Sequence, residues 1–230
     1  IVWWQYTPND AAQFSTATVR VTGGGATLWD AFRVCTFDSY IFQDRTALDL
    51  AIDGWIADPT AATPWGPINT WEFAPTLTNM ANLFKDKTTF NNDISNWNVS
   101  NVTSMRGMFL NANAFDQNIG SWNVSSVTDM AAMFASLLGT HAFNQVISSW
   151  NVSNVTDLQS MFNGASSFDQ SLNNWNVSSV TVMSFMFYQA SSFNQDISTW
   201  CVTNFPSEPS AFSTGSSLTP SNKPVWGTCP

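Results

Sequence analysis

Between residues 90 and 202 large apolar side chains return at fixed offsets, with polar residues filling the gaps between them. Tryptophans stand at 97, 122, 150, 175 and 200, so successive copies are 25, 28, 25 and 25 residues long. Each is followed two residues on by a valine (Val99, Val124, Val152, Val177, Val202), and a second valine comes three later at Val102, Val127, Val155 and Val180. Next come Met105, Met130, Leu158 and Met183, then the pairs Met108-Phe109, Met133-Phe134, Met161-Phe162 and Met186-Phe187. A closing run holds Phe90, Phe115, Phe143, Phe168 and Phe193, each four residues before Ile94, Ile119, Ile147, Leu172 or Ile197. No single copy can bury this much, whereas stacked copies can, and a fixed period of this size signals a solenoid.

The motif reads I-x-x-W-x-V-x-x-V-x-x-M-x-x-M-F, then a small-residue turn and F-[ND]-Q. Its first part has the L-x-x-L-x-L grammar of a leucine-rich repeat, with W-x-V as a short strand whose two apolar residues face inward. From V-T-x-M to M-F the apolar spacing of three and four predicts a short helix or 3₁₀ segment on the convex side. Thr103, Thr128, Thr156 and Thr181 then sit near its N-cap, where a hydroxyl can satisfy an orphan amide. The expected fold is an α/β repeat: a right-handed leucine-rich-repeat-like solenoid with short parallel strands, an N-terminal capping helix and an irregular C-terminal cap.

The flanks divide the chain further. Residues 1–40 lack the repeat; Ile1–Tyr6 and Thr16–Val21 have strand composition and Gly23-Gly24-Gly25 marks a turn, so this stretch reads as a β-rich segment. Its bland role is to cover the first copy, and its sharper one is self-assembly, since adjacent Trp3 and Trp4 are costly to leave wet. Residues 41–70 hold a capping helix, with Leu48, Ile52 and Trp55-Ile56 on one face and Pro59 stopping it, followed by a loop. Copies occupy 71–200, beginning with a degenerate one in which Glu72-Phe73-Ala74-Pro75 replaces N-V-S-x. The decayed pattern of 201–230, rich in proline, is the C-terminal cap. Between Phe134 and Phe143 a three-residue insertion carries the only histidine, His141, and should bulge outward without breaking the stack.

Composition narrows the function. Charged residues are 10% of the chain while 44% is apolar, with 12 Trp and 18 Phe, which supplies a core and leaves a polar, nearly uncharged surface suited to an extracellular setting. With 16 acidic against 7 basic residues and no basic cluster, nucleic acid and anionic membranes are disfavoured partners. No apolar run approaches the roughly 20 residues of a membrane span. The chain opens at Ile1 without Met or a leader, and reads as a mature form or an excised segment. Of three cysteines, Cys201 and Cys229 fall on one face of the last copy and are expected to form a disulfide. Cys35 is left free, buried or intermolecular.

The W-N-V-S-x-V-T-x-M-x-x-M-F repeat resembles the BspA-like leucine-rich-repeat surface proteins over roughly Leu48 to Pro230, including Gly66-Pro67-Ile68-Asn69-Thr70-Trp71 and the ending Trp226-Gly227-Thr228-Cys229-Pro230. The resemblance implies a surface-exposed adhesive or structural chain and carries over no catalytic residues. The residues agree: no HExxH, GxSxG, P-loop or CxxC spacing occurs, and Asp116, Asp129, Asp157 and Asp169 read as turn caps rather than metal ligands. No enzyme activity, cofactor or metal is expected.

Candidate binding residues lie between the core positions. The outward residue of each strand is Asn98, Asn123, Asn151 or Asn176, flanked by Ser100, Ser125, Ser153 and Ser178. Such a line offers repeated donors and acceptors to an extended protein or glycan partner, or its asparagines only bond one another and stabilise the stack. N-x-[ST] acceptors stand at Asn98, Asn101, Asn123, Asn151, Asn154 and Asn176, although the repeat itself writes that pattern. Two other readings stay open: a structural subunit of an extracellular filament or virion appendage, and a glycan- or ice-binding module.

Overall fold

The structure is a computed structural model that describes residues 40–59 and 65–230. The chain divides into two units, Ile1–Phe37 and Asp38–Pro230. The first lies outside the described residues, so the β-rich segment, Trp3, Trp4 and Cys35 are not described.

The second unit begins with strand β1 (Ile41–Phe42) and helix α1 (Arg45–Ala57). Asp44 caps the helix, its Oδ1 accepting from the Ala47 N–H at 2.9 Å, which satisfies one of the amides a helix start leaves unpaired. Leu48, Ala51 and Ile52 are spaced to share one face, and they are buried. The helix ends where Asp58 turns extended ahead of Pro59. A 3₁₀ turn (Ile68–Thr70) leads into β2 (Glu72–Phe73), which pairs in parallel with β1 through Ile41↔Glu72 and Phe42↔Phe73. Phe42 is thereby delivered, fully buried, to the core.

From there each copy bonds to the next in parallel, through bridges Asn79↔Ser104, Ser104↔Asp129, Asp129↔Asp157 and Asp157↔Val182. These bridges do not fall at the tryptophans, and the W-x-V segments carry no strand pairing. Backbone bonding between copies runs instead through V-T and M-x-x-M-F. In the second of these the amides alternate. Met105, Gly107, Phe109 and Asn111 donate to Asp129, Ala131, Met133 and Ala135 of the next copy at 2.7–2.9 Å, while Met108, Leu110 and Ala112 close turns onto Met105, Gly107 and Phe109. The first and last of these turns have a positive φ at their third residue, as a type II turn requires. The column Asn82, Gly107, Ala132, Ser160, Phe185 and Ala211 supplies it, as do Asp86, Asn111, Gly164, Gln189 and Gly215 four residues on.

The expected helical segment is therefore a run of consecutive turns. Its apolar spacing of three and four fits both, and bonds to the neighbouring copy replace the i−4 bonds of a helix. The threonines are likewise not caps: Thr103, Thr128, Thr156 and Thr181 each direct both N–H and Oγ1 at the carbonyl of the preceding copy's threonine.

The repeated apolar positions from Trp71 to Val202 are at most 5% exposed, and equivalent rings stack. Phe84, Phe109, Phe134, Phe162 and Phe187 succeed one another at 5.4–5.7 Å, and the Phe90 column at 5.8–6.1 Å. Tryptophan pairs 71–97, 97–122 and 150–175 lie at 6.2–6.5 Å. Equivalent phenylalanine rings of the turn run stand closer, centroid to centroid, than equivalent tryptophans.

Each indole is also a polar link. The Nε1–H groups of Trp97, Trp122, Trp150, Trp175 and Trp200 donate to Ile68, Ile94, Ile119, Ile147 and Leu172 of the preceding copy at 2.8–3.2 Å. This removes the desolvation cost of burying them.

Candidate interaction face

Asn98, Asn123, Asn151 and Asn176 are all exposed beside the buried tryptophans. Each Oδ1 accepts the N–H of the serine two residues on (Ser100, Ser125, Ser153, Ser178) at 3.2 Å, the local bond that favours asparagine in turns. Ser153 and Ser178 add an Oγ–H donated to the same oxygen at 2.7 Å. The asparagines do not bond one another, which corrects the expectation of an amide ladder here. Their Nδ2 groups meet no partner among the described residues, so the line presents donors to solvent.

The remaining sequons differ. Asn101 is exposed, whereas Asn154 spends its Nδ2 on the Ser125 carbonyl at 2.7 Å. The hydroxyls of Thr103 and Thr156, the third residues of these two sequons, are held by the preceding copy.

An amide ladder does exist, in F-[ND]-Q. Asn91, Asp116, Asn144 and Asp169 each accept, on Oδ1, the backbone N–H of the corresponding residue in the next copy and the Nε2–H of the glutamine after it, at 2.9–3.0 Å. Asn194 ends the series by accepting from Thr219 N–H and Asn222 Nδ2. Asparagine and aspartate alternate along this column, which keeps carboxylates two copies apart while preserving the acceptor each step needs. The motif is plain in the sequence, but its role emerges only when copies are aligned in space.

The insertion bulges without interrupting the columns: Phe134 and Phe143 stack at 3.9 Å, and Ser136 N–H reaches the Asn163 carbonyl of the next copy. Leu137 and Leu138 at its tip are 77% and 78% exposed. His141 at its base is fully buried. Its Nε2 lies 3.0 Å from the Phe109 carbonyl and its Nδ1 accepts the Phe143 N–H at 3.2 Å, which fixes the Nε2–H tautomer. Burial pushes its pKa down to about 4, against smaller opposing effects of the Phe109 carbonyl and Asp116. The ring is neutral at pH 7 and acts as a structural bracket.

Charged groups are few, and ion pairs join some of them at the surface. Arg106 reaches Asp157 at 3.3 Å and Asp129 at 3.7 Å across successive copies. No group of three or more His, Cys, Asp or Glu among the described residues is placed to hold a metal ion. No helix among them is long and apolar enough to cross a membrane. Cys201 and Cys229 form a disulfide with Cα atoms 4.0 Å apart, beside the bond from Val202 N–H to the Thr228 carbonyl.

One family model, described as Mycoplasma protein of unknown function, DUF285, matches residues 59–139 and again residues 136–224. The chain belongs to this family. The two DUF285 matches meet within the insertion and between them take in every tryptophan copy, so this is a repeat protein. No curated protein and no solved structure matches the chain. The DUF285 description assigns no chemistry, and what the protein does has to be argued from its own surface.

Proposed function

We propose that this DUF285 chain is a non-enzymatic, extracellular surface repeat protein that attaches to a protein or glycan surface through the line of Asn98, Asn123, Asn151 and Asn176. In this reading it is a right-handed, leucine-rich-repeat-like solenoid of the BspA-like kind, and its N-x-[ST] acceptors stand on the same exposed side. The observation that carries it is the identical presentation of four asparagines, each with Oδ1 tied into a local turn and Nδ2 open to solvent. Side chains fixed at a regular step lose little entropy on binding, and weak contacts repeated along a rigid backbone gain by multivalency. A surface poor in charge supports a polar partner held by hydrogen bonds rather than by electrostatic capture.

Replacing all four asparagines by serine tests the reading, because serine keeps an oxygen for the turn amide and removes the outward NH₂. Beads carrying the variant should lose attachment to glycan- or protein-coated surfaces that hold the parent, with an unchanged melting temperature. Unchanged attachment would overturn the assignment.

A further inference from the structure

The turn run carries residues that differ from copy to copy. The column that needs positive φ holds Asn82, Gly107, Ala132, Ser160 and Ala211, residues that are small or suited to a left-handed backbone, but in one copy it holds Phe185, at φ 61°. A bulky side chain there costs free energy that asparagine or glycine would not. Phe185 and Tyr188 are both half-buried, so part of each residue stays at the surface. Among the described residues, Phe185 and Tyr188 are the aromatic residues that neither belong to the core nor are among the half-buried ones packed against it.

The two rings meet edge to face, with centroids 5.9 Å apart and planes at 71°, an arrangement that leaves a ring face uncovered by its partner. The backbone beneath them is pinned on both sides. Phe185 N–H bonds Ser210 O at 3.0 Å, Tyr188 O accepts from Gly164 N–H at 2.7 Å, and Tyr188 N–H closes onto Phe185 O at 3.1 Å. The neighbouring copies place Ser160 and Ala211 beside Phe185, and Asn163 and Thr214 beside Tyr188. A rigid aromatic pair thus stands in a frame of small, uncharged, hydrogen-bonding residues.

We propose that Phe185 and Tyr188 form a stacking site for a neutral glycan. The C–H face of a pyranose ring matches an open aromatic face, and the hydroxyls around its rim match a border of amides and hydroxyls. The absence of charge from the frame selects a neutral sugar over an anionic one. The backbone strain at Phe185 is what such a site requires, since a side chain kept at a cost to folding is kept for what it touches. This goes beyond the asparagine line and uses other residues, so the quadruple Asn→Ser variant should retain it.

The test is saturation-transfer NMR and titration of the whole chain with cellohexaose, chitohexaose and mannohexaose. At least one should bind with Kd of 10 mM or tighter and receive saturation on its ring C–H protons. Phe185→Asn, which restores the residue found at position 82, should weaken binding at least tenfold while leaving the melting temperature unchanged or higher; Tyr188→Ala should weaken it comparably. Retention of binding in the Asn→Ser variant separates this site from the one proposed above. Absence of binding by all three hexaoses, binding untouched by both aromatic substitutions, or binding of a proline-rich peptide in their place would overturn the proposal.

Discussion

The interior of the stack and its two ends solve the same problem in different ways. An interior copy has the backbone groups of its V-T and M-x-x-M-F segments met by equivalent groups one period away, and its indole, threonine and F-[ND]-Q side chains each bond the neighbouring copy. An end has no such neighbour. At the N-terminal end α1 lies against the first copy, and Arg45 Nη1 donates to the carbonyls of Ala81 at 2.7 Å and Asn79 at 3.4 Å. Those are the columns in which later copies accept an amide from the copy before, as Ala131 does from Gly107. One guanidinium therefore stands in for a missing copy, and hides an edge that would otherwise template pairing. At the C-terminal end Pro206 occupies the position of Thr181, where it has no N–H to give, and the Cys201–Cys229 disulfide ties the last segment down.

The largest break in that contrast should come from the interior. Trp150→Ala removes a buried ring stacked on Trp175 and one of the two N–H donors to the Ile119 carbonyl, which keeps only that of Trp122; about 3–5 kcal/mol of stability should be lost in a denaturant titration. The corresponding loss at the C-terminal end is that of the disulfide. Its sequence separation is 28 residues, for which loop closure gives roughly 3–4 kcal/mol, read as the difference in midpoint between oxidised and reduced protein.

His141 sharpens the comparison because it is an interior group found in one copy only. Its pKa in the folded chain is about 4, below the ordinary 6.5 or so of the unfolded chain. Below that ordinary value the unfolded state takes up a proton that the folded state refuses. The stabilisation is therefore complete above about pH 6.5 and falls away as the pH drops toward 4, by about 3 kcal/mol in all. Stability measured at pH 7 and pH 4 should show this loss, and His141→Gln should remove its share of the slope. The smallest effect belongs to the N-terminal edge: Arg45→Ala frees two carbonyls that water can reach, at a cost of about 1 kcal/mol. Its clearer readout is faster amide exchange in the first copy.

The side chains that build the core were legible in the sequence because burial depends on apolar residues recurring in register, and Trp97, Val99, Val102, Met105 and Phe115 recur. The helix at Arg45–Ala57 and the Cys201–Cys229 bond were legible for similar local reasons. The local backbone of the copies was not. Met105 and Met108-Phe109 are spaced as in a helix, and what distinguishes a run of turns is a positive φ at positions that carry Asn, Gly, Ala, Ser and Phe in different copies. The roles of Thr128 and Asn144 escaped for another reason. Their partners lie a full period away in the chain, and local capping rules assign such residues to their own segment. At the exposed line the sequence placed Asn98, Asn123, Asn151 and Asn176 outward but left their bonding open, since the same N-V-S supports a ladder between copies or a turn within one.

Exchange of the indole Nε1–H protons tests the stacking most directly. In protein carrying ¹⁵N-labelled tryptophan, the indole protons of Trp97, Trp122, Trp150, Trp175 and Trp200 should be strongly protected in D₂O, because each is buried and bonded to a carbonyl of the preceding copy. Substitution of each tryptophan in turn assigns the signals. Five protected indoles that exchange together only on global unfolding are what the account predicts; rapid exchange of these five under native conditions would contradict it.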